Sequence, residues 1–461
     1  MVPNLTRIQS TRFLKLSLPL ILEVTFVILV SNIVVWMLAN YSDQVAAGVA
    51  IAGQVNNTIF LFFAIVSMGA GILMAQSAGQ KNQKKMQSIF SHALFFALIF
   101  AMIGTVVFFL FYQDIFSFYQ LEASVRAHAE EYGLILAPFF ILNAIFLVFN
   151  QTLYANGKTL QAFYALFFCD VTILLGSAIF IFGVPWFGIP SFGVFGAALG
   201  IILGRFVYLI SLGYFIHRHL GLTFTLPTRN PFKQPITKLI FKVGAPATLE
   251  NLSYALFMML ITRFIAGYGT EAIIAKAYFD SLAMFTFFIA SALANSGAIR
   301  VGQLLGEENY IEAQSTIRYS VKLAFVSSII PSLLLAFGMV FISKWYTNDP
   351  LVIQYLMYIA IADVLLEIGR VFNLVVNRAI KASGDVRYPL LSIVIIQWLI
   401  ILPLALLLGD LLMLGIVGIW IALAIDEALR GLNLWLRWKG LRWQKKAKKL
   451  FTSMAAPHDE P

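Results

Sequence analysis

Twelve long apolar runs divide this chain, and they decide which solvent it can fold in. They lie near residues 13–39, 47–75, 88–112, 132–156, 160–183 and 191–216, then near 237–266, 272–299, 318–343, 353–380, 388–409 and 413–436. A bilayer core about 30 Å thick needs about 20 consecutive apolar residues when the backbone is helical. Membrane strands are shorter and alternate apolar with polar residues. These runs do not alternate, so helices must satisfy the backbone inside lipid. Composition agrees: 60% of residues are hydrophobic and 12% charged, against about 25% charged in a soluble domain. Such a chain has too little polar surface to cover itself in water. The first run is longer than the core of a signal peptide and is expected to stay as the first spanning helix. The fold class expected is all-α and integral to the membrane.

The net charge of +10 reports topology rather than nucleic-acid binding, because the basic residues cluster in short connections between runs. Arg7, Arg12 and Lys15 precede the first span, and Lys81, Lys84 and Lys85 follow the second. Arg218, Arg229, Lys233 and Lys238 mark the central linker, and Arg378, Lys381 and Arg387 follow the tenth run. The tail carries Arg437, Lys439, Arg442, Lys445, Lys446, Lys448 and Lys449. In a twelve-span chain these positions share one side. The opposite connections are poor in positives: 40–45 has none and 113–132 has only Arg126. Both termini are therefore expected in the cytoplasm, with the protein in the plasma (inner) membrane. Trp438 and Trp443 suit the membrane surface beside the tail lysines. The expected organisation is a bundle over 1–216, a linker over 217–235, a second bundle over 236–436 and a basic tail over 437–461.

A displacement of 227 positions lays the second half on the first. Lys15 falls on Lys242, Pro19 on Pro246, Glu23 on Glu250, Tyr41 on Tyr268, Gln76 on Gln303 and Asn82 on Asn309. The register still holds at Asn150 and Asn377, Ala155 and Ala382, and Gly157 and Gly384. Chance similarity between apolar helices matches Leu and Ala, not Pro, Glu, Gln and Asn in one register. Six spans per repeat return the chain to its starting side, so the repeat is parallel. The expectation is two pseudo-symmetric six-helix bundles around a central cleft, with alternating access by rocking of one bundle against the other.

The six-plus-six order, the Pro in spans one and seven, the segments 76–79 (QSAG), 303–306 (QLLG) and 193–198 (GVFGAA), and 377–385 (NRAIKASGD) together resemble the MATE family of cation-coupled multidrug antiporters. The resemblance covers nearly the whole chain. It implies that Glu250 is the span-seven carboxylate used by many members. Many members also place an Asp late in span one and an Asn and Asp late in span five. Here the first of these regions reads Asn32-Ile33-Val34-Val35-Trp36, and the acid nearest the second is Asp170, two turns earlier. Glu23 and Asp170 are the candidates to replace them.

An ionisable group at the bilayer centre costs at least about 2.5–3.5 kcal/mol, so each asks for a reason. Glu23 and Glu250 each lie four residues after a Pro and eight after a lysine, or about 12 Å deeper along a helix. Each can carry a proton, ligate Na⁺ or bridge helices. Lys276 and Asp280 share a helix face at i and i+4, either as a neutral pair or as an acidic anchor for a cationic substrate. Glu367 and Arg370 are expected to pair, with Asp363 nearby, in a structural or gating role. Arg205, Asp426, Glu427 and Arg430 read as solvated or interhelical charges. Asn32, Asn57, Asn150 and Asn251 can line a wet cleft or bond helix to helix. Met259, Met284 and Phe287 can form an adaptable apolar wall or plain packing.

No phosphate-binding Walker pattern is present, and no His/Asp or Glu/His arrangement suggests an enzyme. One cysteine, Cys169, and five scattered histidines give no metal site beyond a possible Na⁺. The expected function is a monomeric H⁺- or Na⁺-coupled antiporter with no cofactor. It would export organic cations or amphiphilic drugs and touch membrane lipids but no nucleic acid. The alternatives are a lipid-linked saccharide flippase of related architecture and a non-transporting scaffold.

Overall fold

The computed structural model describes residues 5–117, 119, 122–184, 186, 188–227 and 230–455. Arg229 of the linker and residues 456–461 of the tail lie outside the described residues. The first half contains α1 (Arg7–Tyr41), α2 (Asp43–Gly79), α3 (Gln83–Ser117), α4 (Ala123–Leu136), α5 (Phe140–Ala155), α6 (Thr159–Phe182) and α7 (Gly193–Leu220). The second contains α8 (Pro235–Ala266), α9 (Thr270–Gly306), α10 (Tyr310–Tyr346), α11 (Pro350–Ala382), α12 (Arg387–Ile393), α13 (Leu402–Leu406) and α14 (Gly415–Lys439), followed by the tail helix α15 (Arg442–Ala455).

Two spans are interrupted, and proline explains where. A 3-10 turn at Ala137–Phe139 carrying Pro138 joins α4 to α5. Wide turns at Val394–Ile401 and Leu407–Leu411 flank α13 and its Pro403. Proline removes a backbone donor and clashes with the preceding turn, so the helix tightens or widens around it. Counted as spans, α4 with α5 and α12 with α13 leave six per half among the described residues. Eleven are long and apolar enough to cross a membrane. The twelfth, α14, is long enough but carries Asp426, Glu427 and Arg430 at its middle. The sequence expectation of a linker over 217–235 shortens, because α7 continues to Leu220 and ends on the left-handed Gly221.

The duplication is visible in the backbone. Displaced by 227, the ends of α2 fall on those of α9, and the span α4–α5 falls on α11. The turn after α2 puts Lys81 at φ 54°, and the turn after α9 puts Glu308 at φ 56°. Asn82 and Asn309 then accept the amides of Lys85 and Glu312, at 3.0 and 3.1 Å. This is helix capping at one register in both halves.

Two compact units result, Leu22–Ala245 and Met1–Ile21 with Pro246–Pro461. Their boundaries fall inside α1 and α8, beside Pro19 and Pro246. Within the first unit, the start of α8 lies backbone-to-backbone on α2. A Cβ on Gly244 would come within 1.9 Å of the Ile65 carbonyl oxygen, and one on Gly69 within 2.1 Å of that of Ile240. Gly196 and Gly200 likewise admit α6 against α7, which gives the 193–198 segment a packing role. Within the second unit, Phe257, Phe279, Ile359 and Trp420 belong to one buried apolar cluster. Phe13, Leu304, Val375 and Trp443 belong to another.

Candidate functional site

Each half places its carboxylate against the span that ends in its repeat of the 377–385 segment. In the first, Glu23 on α1 accepts a hydrogen bond through Oε1 from the Tyr154 hydroxyl on α5. One turn earlier, Asn150 donates to the Tyr208 hydroxyl on α7. Glu23 is electrostatically coupled to Asp170 on α6, and Tyr208 to both. Three buried oxygens in this group have no hydrogen-bond donor: Glu23 Oε2, Asn150 Oδ1 and Asp170 Oδ2. Arg205 on α7 lies within electrostatic range of Asp170 but spends its guanidinium on Asn143. It also lies 5.6 Å from the centroid of the Phe146 ring. Of the two readings of Arg205, solvated or interhelical, the contact with Asn143 favours the interhelical one.

In the second half, Asn377 on α11 donates to Glu250 Oε1 at 2.5 Å. Lys381, one turn on, brings its Nζ to 3.2 Å from Oε2. Glu250 and Lys381 are both buried. The same helix sends Arg378 to the Ser291 carbonyl and, at 2.7 Å, to its hydroxyl. Arg378 and Lys381 are thus not charges of the connection after the tenth run, where the sequence reading puts them, because α11 continues to Ala382. The sequence reading does not single out Tyr154 or Tyr208, names Asn377 only for its register and its place in the 377–385 segment, and takes Lys381 as a topology charge. The repeat carried a signal for two of them, since Tyr154 and Lys381 stand at one register.

A second charged cluster occupies α11 and α14. Glu367 pairs with Arg370, as expected, and Ser332 reaches Asp363 at 3.4 Å. Arg430 binds both oxygens of Asp426, at 2.9 and 2.6 Å, and Glu427 at 2.9 Å. Gln397 donates to Asp426 at 3.0 Å and Asn373 to Glu427 at 2.7 Å. Asp426, Glu427 and Arg430 are all buried, which excludes the solvated reading in favour of the interhelical one. Four acids here face two arginines.

The remaining candidates are dispersed. Lys276 and Asp280 form an ion pair whose Asp280 side chain is 52% exposed. Asn32 bonds back to the Ile28 carbonyl of its own helix at 2.8 Å. Asn57, Asn251 and Met259 are exposed in the absence of a bilayer, whereas Met284 and Phe287 are half-buried. Phe287 lies 5.9 Å from the Arg370 guanidinium. Among the described residues, no three His, Cys, Asp or Glu side chains gather as a metal site.

Comparison with known proteins gives a consistent picture. The family model MatE matches residues 19–179 and again 246–407, so the two matches begin one repeat apart. The "Uncharacterized transporter YisQ" of Bacillus subtilis is 26% identical over 432 residues, covering 94% of each chain. The "Probable multidrug resistance protein NorM" of Thermotoga maritima is 24% identical over 434 residues, covering 94% of this chain and 93% of its own. Among solved structures, the Vibrio cholerae MATE transporter VcmN in its bent form superimposes with a TM-score of 0.85 at 17% identity. That likeness covers 96% of this chain and 98% of the other. A MOP superfamily transporter from Pyrococcus furiosus gives 0.85 at 18% identity, over 95% and 96%. At these identities the solved structures speak for the fold alone.

Proposed function

Because this chain belongs to the MatE family of membrane transporters, we propose that it exports small organic, chiefly cationic, molecules in exchange for a proton or Na⁺. The observation that carries this reading is the group of donorless oxygens around Glu23. A buried acceptor left unmade costs about 1–3 kcal/mol, and more when it is charged. Glu23 and Asp170 lie within electrostatic range of each other, and like charges at such a site resist being held together. One proton, or one Na⁺ among these oxygens, relieves both penalties. Binding and release of that cation is the exchange an antiporter needs. A substrate cation about 4 Å from one ionised carboxylate gains about 4 kcal/mol at an effective dielectric near 20, before desolvation. It loses that gain when the coupling cation arrives.

The names of relatives such as the Thermotoga maritima NorM support drug-like substrates. Excess basic residues in the connections on one side support cytoplasmic termini. Impermeant labelling of a Ser453→Cys variant from outside intact cells would contradict that orientation. The coupling test uses proteoliposomes with imposed pH and Na⁺ gradients and a fluorescent lipophilic cation. Glu23→Gln should abolish gradient-driven efflux in protein that remains folded, and Glu250→Gln should impair it. Efflux at the unsubstituted rate in both variants would falsify the assignment, and efflux indifferent to either gradient would remove the coupling itself.

A further inference from the structure

The tail helix α15 presents two unlike faces. Trp443, Ala447 and Leu450 are buried, and their spacing of four and three places them on one side of the helix. The Trp443 ring stacks on Trp438 with centroids 4.1 Å apart and 5° between planes. Its indole N–H donates to the Trp438 carbonyl at 2.8 Å, and Tyr310 lies 6.1 Å away. Leu450 sits against Gly384, where a Cβ would come within 2.6 Å of it. The apolar side is therefore already spent on the protein. The other side carries Arg442, Lys445, Lys446, Lys448 and Lys449, all exposed. The helix contains no acidic residue, and among the described residues none of these five cations forms an ion pair. A depression of about 420 Å³ at its start is lined by Gly440, Leu441, Arg442, Gln444, Lys445 and Lys448.

We propose that α15 is a docking platform for the phosphate headgroups of anionic phospholipids. Its position selects the source of the phosphate. The helix starts at Arg442, directly after a membrane span that ends at Lys439, so the cations stand at headgroup level rather than in bulk water. Five like charges along about 11 Å of helix suit an anionic leaflet, where each cation near the surface raises binding about five-fold. Exposed polar cations on a helix whose apolar face is occupied read a charged surface and do not insert into it. The same helix rests on the turn after α11. Gly384 is under Leu450, and Asp385 is held by Arg437 at 2.7 Å. Headgroup binding would hold α15 on the end of the helix that carries Lys381 and Glu250's other partner, Asn377. This inference needs only the membrane-spanning fold, not the proposed substrate or coupling cation.

The test places full-length protein in phosphatidylcholine nanodiscs, with or without about one-third phosphatidylglycerol. A fluorophore at Thr452→Cys reports quenching by nitroxide-labelled lipid of either headgroup. Labelled phosphatidylglycerol should quench several-fold more than labelled phosphatidylcholine. The excess should disappear when Lys445, Lys446, Lys448 and Lys449 are all changed to Gln, and survive when all four are changed to Arg. Neutralising Lys81 and Lys84 on another connection should leave it intact. Equal quenching by the two lipids, or an excess that survives the four Gln changes, overturns the proposal. So does loss of the excess on adding inorganic phosphate at matched concentration and constant ionic strength, which would make this a free-anion site. Variants are compared only where the Trp438–Trp443 stack still gives its fluorescence, and the Arg series decides if the Gln series does not fold.

Discussion

The two halves give one carboxylate two different neighbours. Glu23 meets a phenol, Tyr154, whereas Glu250 at the same register meets an ammonium, Lys381. The asparagines one turn earlier also part company: Asn150 turns its amide to Tyr208, while Asn377 keeps its amide on the carboxylate. Duplication thus preserved the backbone and the acid but not the charge balance around it. Among the described residues no cation touches Glu23 in the first half; its second oxygen has no hydrogen-bond donor, and neither has Glu250 Oε2, so at that oxygen the two halves differ in the nearby cation alone. In the second the charge of Glu250 is met at 3.2 Å. Under the proposed exchange, the first half is the one free to gain and lose a cation, and the second holds a standing pair.

The strongest way to break this comparison is to remove the cation from the second half. Lys381→Met leaves Glu250 buried with Asn377 alone, and breaking a buried pair costs about 3–5 kcal/mol. Tyr154→Phe, at the equivalent position, removes one hydrogen bond to a buried acceptor and should cost about 1–3 kcal/mol. Thermal unfolding in detergent compares the two. Adding Glu250→Gln to Lys381→Met should recover much of the loss, since it removes the uncompensated charge. Equal losses at the two positions, or no recovery, would mean that the halves hold their acids alike.

A smaller contrast lies where α1 and α8 begin. Gly244 falls on Ser17, and Gly69 on Ser296, under the same displacement. The first unit brings helix backbones together through glycines, whereas Ser17 and Ser296 are buried and bond back to their own helices at 2.9 and 2.8 Å. Gly244→Ala must push a methyl into the Ile65 carbonyl and should cost the upper part of about 1–3 kcal/mol. Ser17→Ala should cost about 1 kcal/mol or less. The same melting experiment measures both, and a harmless Gly244→Ala would show that α8 can shift on α2.

Much of this architecture is legible in the sequence. Apolar run length and the 227-residue register found the spans, the repeat and both deep glutamates, because hydropathy and duplication are written along the chain. Lys381 was misread for a physical reason. A lysine at the end of an apolar run is ordinarily a snorkelling or loop charge, and only the extension of α11 to Ala382 buries it. Partners across spans were illegible for another reason. That Gln397 would serve Asp426, or Asn373 serve Glu427, depends on which faces of separate helices meet. Proline predicted neither the 3-10 turn at Pro138 nor the wide turns around Pro403 as such, since Pro19, Pro246 and Pro331 sit inside unbroken helices.

The finest prediction asks whether the first half alone sets the pH dependence of substrate binding. A cationic dye needs an ionised carboxylate, so its affinity should rise with pH, while a neutral analogue of similar shape should bind equally at every pH. Tyr154 donates to Glu23, and a donor favours the ionised form. Tyr154→Phe should therefore move the dye's binding midpoint to higher pH. A net hydrogen bond of about 0.5–1.5 kcal/mol corresponds to about half to one pH unit. Asp170, Tyr208, Arg205, Cys169 and Tyr132 also interact within this site, and the substitution leaves all five in place. Asn377→Leu removes the equivalent donor from Glu250, but Lys381 still holds that carboxylate, so the midpoint should scarcely move. Titrating dye binding in both variants separates the halves. Equal shifts would make the two acids one coupled system, and a shift to lower pH in Tyr154→Phe would show that the dye reads some other group.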